Sequence, residues 1–362
     1  MARLVLVMAG GTGGHVYPAL AVAMELLARG YRVEWVGTRR GLEHRVVSAT
    51  DIPLHLLPVR GVRGKGLLDK MLALFFLALS SVKALWLVAR RAPACVVGMG
   101  GYVAGPAGVA AWLTRKPLLI HEQNAVAGTT NRMLAPLAST IACGFEGAFA
   151  DRDGCRVVGN PVRADLVAEG RGNQWYFDGE RPLRLLILGG SLGAQAINEV
   201  MPKALGLCLD DPAGTMEVRH QTGAGHEDAV REAYASAGLK GVTVAPFIED
   251  MAAAYGWADL VLCRAGALTI AELAIMGRPA ILVPLPHAID DHQTANARSL
   301  TELGGAVLMP QSDMSAEALA ALFKRLQAEP DTLATMAEAV RRAATPRAAA
   351  DVADLCEELM HD

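Results

Sequence analysis

His15 closes the turn Gly10-Gly11-Thr12-Gly13-Gly14, directly after the apolar run Leu4-Val5-Leu6-Val7-Met8 and ahead of a helical pattern from Tyr17 to Arg29. A neutral imidazole at a helix entrance, beside backbone that glycine lets approach a ligand, can take a proton from a bound hydroxyl. The N–H groups of the same turn and the positive end of the helix dipole favour an anion, so the segment reads as a phosphate cradle with a general base beside it. The cradle is repeated: Gly189-Gly190-Ser191-Leu192-Gly193-Ala194 follows Leu185-Leu186-Ile187-Leu188 and precedes a helical pattern from Ala194 to Leu209. A further glycine turn, from Gly98 through Gly100, Gly101 and Tyr102 to Pro106, follows the strand Cys95–Val97 and offers a second anion seat in the first half.

The first turn departs from the dehydrogenase fingerprint and disfavours a nicotinamide enzyme, although the arginine pair Arg39-Arg40 could hold the ribose phosphate of NADP. The third glycine of G-x-G-x-x-G is replaced by Val16, and Gly37-Thr38-Arg39-Arg40 stands where an acidic ribose ligand is expected. His121-Glu122-Gln123-Asn124 ends a strand and so opens at the mouth of a parallel sheet, where binding and plain exposure both accommodate four polar side chains. Thr269 and Glu272, in Cys263-Arg264-Ala265-Gly266-Ala267-Leu268-Thr269-Ile270-Ala271-Glu272, have capping-box spacing; the same turn can face a diphosphate, and Glu272 can accept ribose hydroxyls. The polar loop His287 to Asn296 offers Gln293 to a sugar hydroxyl.

Short apolar strands alternate with helical patterns throughout. The first set is Leu4–Met8, Arg32–Val36, His55–Pro58, Cys95–Val97, Leu118–His121, Thr140–Ala142 and Cys155–Val158; the second is Leu185–Leu188, Glu217–His220, Val242–Ala245, Leu260–Cys263, Ala280–Val283 and Ala306–Leu308. Such βα alternation over 362 residues predicts an α/β chain of two Rossmann-like, doubly wound parallel-sheet domains, 1–160 and 161–345. Thr345-Pro346 reads as the N-cap and first residue of a last helix, 346–360.

Residues 1–160 carry 18 Lys and Arg against 9 Asp and Glu, whereas the rest carries 16 against 28. A basic first half suits nucleic acid, a phospholipid leaflet or a phosphorylated ligand. Six cysteines without metal-like spacing predict free buried thiols in a reducing cytosol, with neither disulfide nor zinc site. No signal peptide is readable at the start. The apolar stretch Met71 to Ala89, interrupted by Ser80, Ser81 and Lys83 and flanked by Lys65, Lys70, Arg90 and Arg91, predicts a helix that is core on one side and rests on a headgroup layer with the other.

GGTGGHVYPALAVA, GMGGYVAGP, HEQNAVAGTTNRML, VVGNPVR, GGSLGAQAIN and CRAGALTIAEL stand in an order and spacing that resemble the bacterial cell-wall transferases converting lipid I to lipid II, the MurG-type GT-B glycosyltransferases. The resemblance runs from the first strand to about Leu303. It implies two domains facing across a cleft, with the final helix packed back on the first. It also implies UDP-N-acetylglucosamine as donor and undecaprenyl-pyrophosphoryl-MurNAc-pentapeptide as acceptor. Ile248 matches the backbone reader of uracil, and Glu272 the ribose ligand. Ser191, Arg163 and the turn Ala267, Leu268 and Thr269, continued by Ile270 and Ala271, match diphosphate contacts. Gln293, Asn124 and the Thr12-Gly13-Gly14 turn match groups around the donor sugar. Leu192 and His292 depart from residues found in some members.

No DxD-like pair stands at a strand end, so the expected reaction is an inverting single displacement without metal or cofactor. His15 is the first choice of base and Glu122 the second, with Gly100, Gly101 and Tyr102 holding the acceptor pyrophosphate. The implied location is peripheral, on the cytoplasmic face of the inner membrane, with anionic phospholipid and cell-wall synthesis proteins as neighbours and no nucleic acid. A UDP-GlcNAc 2-epimerase, a GT-B transferase with another acceptor and a non-catalytic nucleotide sensor are the rival readings.

Overall fold

Strands made of uninterrupted Leu, Val and Ile must be covered on both faces, and parallel sheets flanked by helices provide that cover. The computed structural model, which describes residues 2–59, 67–149, 152, 154–190, 193–209, 216–286 and 291–361, forms a strand at each of those apolar runs. The chain divides into two compact units, Met1–Arg163 with Thr345–Asp362, and Ala164–Ala344.

The first unit runs β1 (Leu4–Met8), α1 (Gly13–Ala28), β2 (Arg32–Gly37), α2 (Leu42–Val47), β3 (Leu54–Leu56), α3 (Leu67–Arg91), β4 (Cys95–Gly98), α4 (Ala104–Leu113), β5 (Leu118–Glu122), α5 (Thr129–Leu134), β6 (Thr140–Cys143) and β7 (Cys155–Val157). Its sheet is parallel, in the order β3-β2-β1-β4-β5-β6-β7. The second unit runs α6 (Ala164–Gly172), β8 (Leu183–Leu188), α7 (Gln195–Gly206), β9 (Met216–Gln221), α8 (Glu227–Ser236), β10 (Thr243–Ala245), α9 (Met251–Trp257), β11 (Leu260–Cys263), α10 (Ala267–Met276), β12 (Ala280–Leu282), α11 (His292–Thr301), β13 (Ala306–Leu308), α12 (Ala316–Ala328) and α13 (Pro330–Arg342). Its sheet order is β10-β9-β8-β11-β12-β13.

The last helix, α14 (Ala348–His361), belongs to the first unit, where Val352, Ala353, Leu355 and Cys356 join the core beneath β1 and α1. Arg29 of α1 holds it by Asp354 (2.6 Å) and the Ala350 carbonyl (3.1 Å). It starts later than Thr345-Pro346 predicts: Thr345 packs its side chain against Gly159 (φ +82°), and its carbonyl accepts the Ala348 N–H across a turn.

Helix α3 buries Ala73, Ser80, Ala84, Leu87 and Val88 at helical spacing, while Met71, Leu74, Phe75, Val82 and Trp86 stay exposed. Length and composition would let Ala73–Arg91 cross a membrane, yet its inner stripe packs on α4 and the sheet. Trp112 and Leu113 of α4 and Met133 of α5 are also exposed in this unit. Arg91 anchors the end of α3 to buried Glu34 on β2, which also takes His55 at 2.7 Å. Burial opposes ionisation of Glu34, but these two partners outweigh it and hold the carboxyl below its ordinary range.

The expectation of six free thiols is corrected at one pair, for Cys143 and Cys155 form a disulfide. Register sets Ile141 opposite Cys155 and Cys143 opposite Val157, so the two cysteines are diagonal neighbours on one face, with Cα atoms 6.6 Å apart. A separation of 12 residues in sequence carries no trace of that register. Cys95, Cys208, Cys263 and Cys356 are buried free thiols.

In the second unit His220 of β9 is buried between Tyr234 and Asn198, with the Tyr234 hydroxyl 2.9 Å from Nδ1 and Asn198 Oδ1 3.1 Å from Nε2. Asn198 Nδ2 donates to the Thr222 carbonyl, which turns its oxygen to the ring; Nε2 therefore carries the proton and Nδ1 accepts from Tyr234. Burial pushes the imidazole pKa down to about 3. The unfolded chain takes up this proton near pH 6.5. The stabilising contribution is thus complete above that pH and is lost as pH falls through the window down to about 3. His220→Gln is expected to flatten the acid decline of the urea midpoint by about one proton, about 1.4 kcal/mol per pH unit. An unchanged slope would assign the decline to another group.

Candidate functional site

In each sheet the winding reverses beside its first strand, between β1 and β4 and between β8 and β11. Ligands of doubly wound folds gather outside the strand ends at such reversals. All the glycine turns singled out from the sequence follow these four strands or their helices, so each unit carries its site where its topology places one.

In the first unit the turns after β1 and β4 lie against each other. Gly101 (φ +83°) rests on the Gly10 carbonyl with no room for a side chain, and Gly100 (φ +92°) lies under the His15 ring. A Cβ at Gly100 would come within 2.8 Å of His15 Cδ2 and 3.1 Å of Nε2. His15 is the third residue of α1, so its ring shares the helix mouth with the N–H groups of that first turn. The structure thus brings together His15, Gly13, Gly14, Gly100 and Gly101, with Tyr102 exposed beside them. Arg163 places its guanidinium 5.7 Å from the Tyr17 ring centre in this unit.

Sequence reasoning missed Glu43. Its buried carboxylate accepts from the Gly11 N–H (3.0 Å), the Thr38 N–H (2.8 Å) and the Thr38 hydroxyl (2.6 Å), and so ties the first cradle to the end of β2. It lies on the six-residue helix α2, without motif spacing, and only the folded sheet brings it there.

His121, Glu122 and Gln123 are buried rather than exposed at a mouth. Glu122 Oε1 accepts from the Asn124 backbone (2.9 Å) and side chain (3.2 Å), and Oε2 from the Gly128 N–H (3.0 Å) and Asn131 Nδ2 (2.8 Å). A carboxylate closed in by four donors organises the loop that carries Asn124 and has no face to offer a substrate hydroxyl, which corrects its place as second choice of base. His121 gives Nε2–H to the Gly159 carbonyl at 2.9 Å, and burial lowers its pKa against that bond and the Glu122 charge. Asn160 Nδ2 donates to the Gln123 carbonyl at 2.9 Å. Glu122→Gln is expected to cost about 2–3 kcal/mol in urea unfolding, because the amide leaves buried donors without acceptors. A catalytic role alone would leave that stability unchanged.

In the second unit Gly193 (φ +78°) packs on the Thr222 carbonyl. Ser191 and Leu192 lie outside the described residues, as does the loop from His287 to Asp290. Ile248 gives its N–H to Gln221 Oε1 at 2.9 Å.

After β11, Gly266 is the N-cap of α10, and Ala267, Leu268 and Thr269 form the first turn, with N–H groups lacking intrahelical acceptors. Thr269 is therefore inside the helix and the capping-box reading is corrected. The preceding residues are drawn into the turn by Asn296 Nδ2 on the Ala265 carbonyl (3.1 Å) and by Arg264 on the Val283 (3.2 Å) and Pro284 (3.1 Å) carbonyls. Ile270 and Ala271 are buried behind that turn. Glu272, one turn in and half-buried, accepts from the hydroxyl of fully buried Tyr255 at 3.1 Å. Gln293 on α11 accepts the Leu285 N–H at 2.9 Å, which directs its amide nitrogen outward as the donor. Arg264 just after β11, Gln221 at the end of β9 and Asn296 within α11 have no motif spacing that marks them in the sequence.

The chain matches the glycosyltransferase family 28 N-terminal domain over residues 5–143 and the glycosyltransferase family 28 C-terminal domain over residues 184–354. It is 51% identical over 358 residues, 99% of this chain and 98% of the relative, to the UDP-N-acetylglucosamine–N-acetylmuramyl-(pentapeptide) pyrophosphoryl-undecaprenol N-acetylglucosamine transferase of Pseudomonas entomophila. The crystal structure of Acinetobacter baumannii MurG aligns with a TM-score of 0.83 and 42% identity, covering 98% of this chain and 99% of that one. A putative UDP-N-acetylglucosamine 2-epimerase of Listeria monocytogenes aligns with a TM-score of 0.69 over 97% and 95% of the two chains, but at 16% identity that shares the fold alone. With paired α/β units, family 28 matches to both and full-length identity of one half, this chain belongs to the MurG-type family of N-acetylglucosamine transferases.

Proposed function

We propose that this protein moves N-acetylglucosamine from UDP-N-acetylglucosamine to the 4-hydroxyl of MurNAc in undecaprenyl-pyrophosphoryl-MurNAc-pentapeptide, turning lipid I into lipid II for peptidoglycan. The observation that carries the reading is His15 over Gly100, a base beside two anion cradles, in a chain half identical to such transferases over its whole length. The hydroxyl is a weak nucleophile. His15 takes its proton as oxygen attacks the anomeric carbon, the bond to UDP breaks from the opposite side, and the configuration inverts.

The leaving diphosphate is met by the free N–H groups of Ala267, Leu268 and Thr269 at the start of α10, with Ile270 and Ala271 continuing the turn, and by Ser191 and Arg163. Glu272, held by Tyr255, takes ribose hydroxyls, and the Ile248 backbone reads uracil. Gln293, Asn124 and Thr12-Gly13-Gly14 address the sugar, while Gly100, Gly101 and Tyr102 hold the acceptor pyrophosphate. No metal or cofactor is assigned a step. The exposed apolar face of α3 with Trp86, near Lys83 and Arg90, together with exposed Trp112 and Leu113 of α4, supports peripheral contact with an anionic leaflet on the cytoplasmic side, where cell-wall synthesis proteins would be neighbours.

Radiolabel from UDP-N-acetylglucosamine is expected to enter a butanol-extractable lipid at equal rates with and without chelator. Label that stays in water-soluble sugar would favour an epimerase, and a rate abolished by chelator would overturn the metal-free displacement.

A further inference from the structure

The disulfide joins a buried residue, Cys143, to a half-buried one, Cys155, on the three-residue edge strand β7. The segment leaving β7 hangs on this link. The Cys143 carbonyl accepts the N–H groups of both Val158 (3.0 Å) and Gly159 (3.2 Å). The Gly159 carbonyl in turn orients His121, and Asn160 pins the Gln123 carbonyl in the loop that carries Asn124. Three residues further on, Arg163 ends the first stretch of the unit. Arg156 and Val157 are exposed, so β7 has little burial of its own to hold it in place.

The remaining thiols do not compete. Cys95, Cys208, Cys263 and Cys356 are buried, and burial, with Glu272 beside it, pushes Cys263 up to about 12. On the proposed cytoplasmic face, on which this step rests, disulfides are rare and usually transient or redox-sensing.

We propose that Cys143–Cys155 is a reversible thiol–disulfide switch that sets the order of residues 155–163 and, through Gly159 and Asn160, of the loop carrying Asn124. In the opening direction a low-molecular-weight thiolate attacks the sulfur of Cys155, the less buried residue of the pair, and Cys143 leaves as a thiolate that takes a proton. A second thiolate then attacks the outer sulfur of the mixed disulfide and releases Cys155. The protein disulfide and two thiols become the protein dithiol and one small disulfide; glutathione disulfide drives the reverse.

The test equilibrates the full chain in glutathione buffers from reduced to oxidised. Thiol labelling after denaturation, amide exchange at 155–160 and turnover are then compared with those of Cys155→Ser. Labelling at both cysteines is expected to vanish together at one midpoint. Exchange should be roughly tenfold slower in the oxidised protein than in Cys155→Ser, which stays fast throughout. Turnover should differ at least about twofold between the redox states of the wild type and stay flat in the variant. Labels retained at every ratio, exchange equal to that of the variant, or turnover indifferent to the redox state would each overturn the switch. Labelling and exchange use no substrate, so failure of the proposed transfer reaction would show separately, as absence of turnover in every sample.

Discussion

His15→Ala is expected to lower turnover by about 10²–10⁴-fold, the usual contribution of a positioned base, while leaving donor affinity within about threefold. The split follows from where the ring sits. It lies over Gly100 in the first unit, whereas the groups assigned to uracil and ribose are in the second. The first unit should also keep its stability, since the ring is half-buried and the turn it covers is tied to β1 independently by the Met99 N–H on the Met8 carbonyl (2.8 Å). Initial-rate measurements of UDP release with saturating acceptor, alongside titration of the donor, read both quantities. Near-normal turnover in a folded variant would remove His15 from the mechanism.

Glu272→Ala is expected to act on the other side of that split, raising the donor KM by roughly 10–150-fold, as loss of a charged hydrogen-bonding partner costs about 1.5–3 kcal/mol. Fully buried Tyr255, whose hydroxyl lies 3.1 Å from this carboxylate, would also lose this hydrogen bond, so a small fall in stability should accompany the weaker binding. Tyr255→Phe separates the two effects: it keeps the carboxylate, frees its orientation, and should raise KM by only a few-fold. Equal donor KM in Glu272→Ala and the wild type would refute the ribose assignment.

The elements were legible because their physics is local. Buried parallel strands such as Leu4–Met8 and Leu260–Cys263 are runs of apolar residues whatever surrounds them, and glycine turns after them mark where backbone must bend sharply. The polar framework was not legible, because its partners meet only through register and topology. Glu43 reaches Gly11 across 32 residues, Asn160 reaches Gln123 across 37, and Cys143 meets Cys155 only through the pairing of β6 with β7. Glu122 shows the same limit in reverse. A carboxylate at a strand end suggests chemistry, yet four donors from its own neighbourhood make it a structural group. Thr269 lies three residues past the true N-cap, Gly266, whose approach is fixed by bonds that no local spacing shows: Asn296 reaches the Ala265 carbonyl across 31 residues and Arg264 the Val283 carbonyl across 19.

Because α14 supplies Val352, Leu355 and Cys356 to the first unit, the interior of that unit is built from two stretches of chain separated by the whole of the second. The second unit is contiguous, Ala164–Ala344, so all of it is synthesised between the two stretches that make up the first. Throughout elongation the oily surface of α3 is carried by a half-finished lobe, and a nascent chain cut short before Ala348 would present that surface to chaperones and bilayers without a sealed interior behind it.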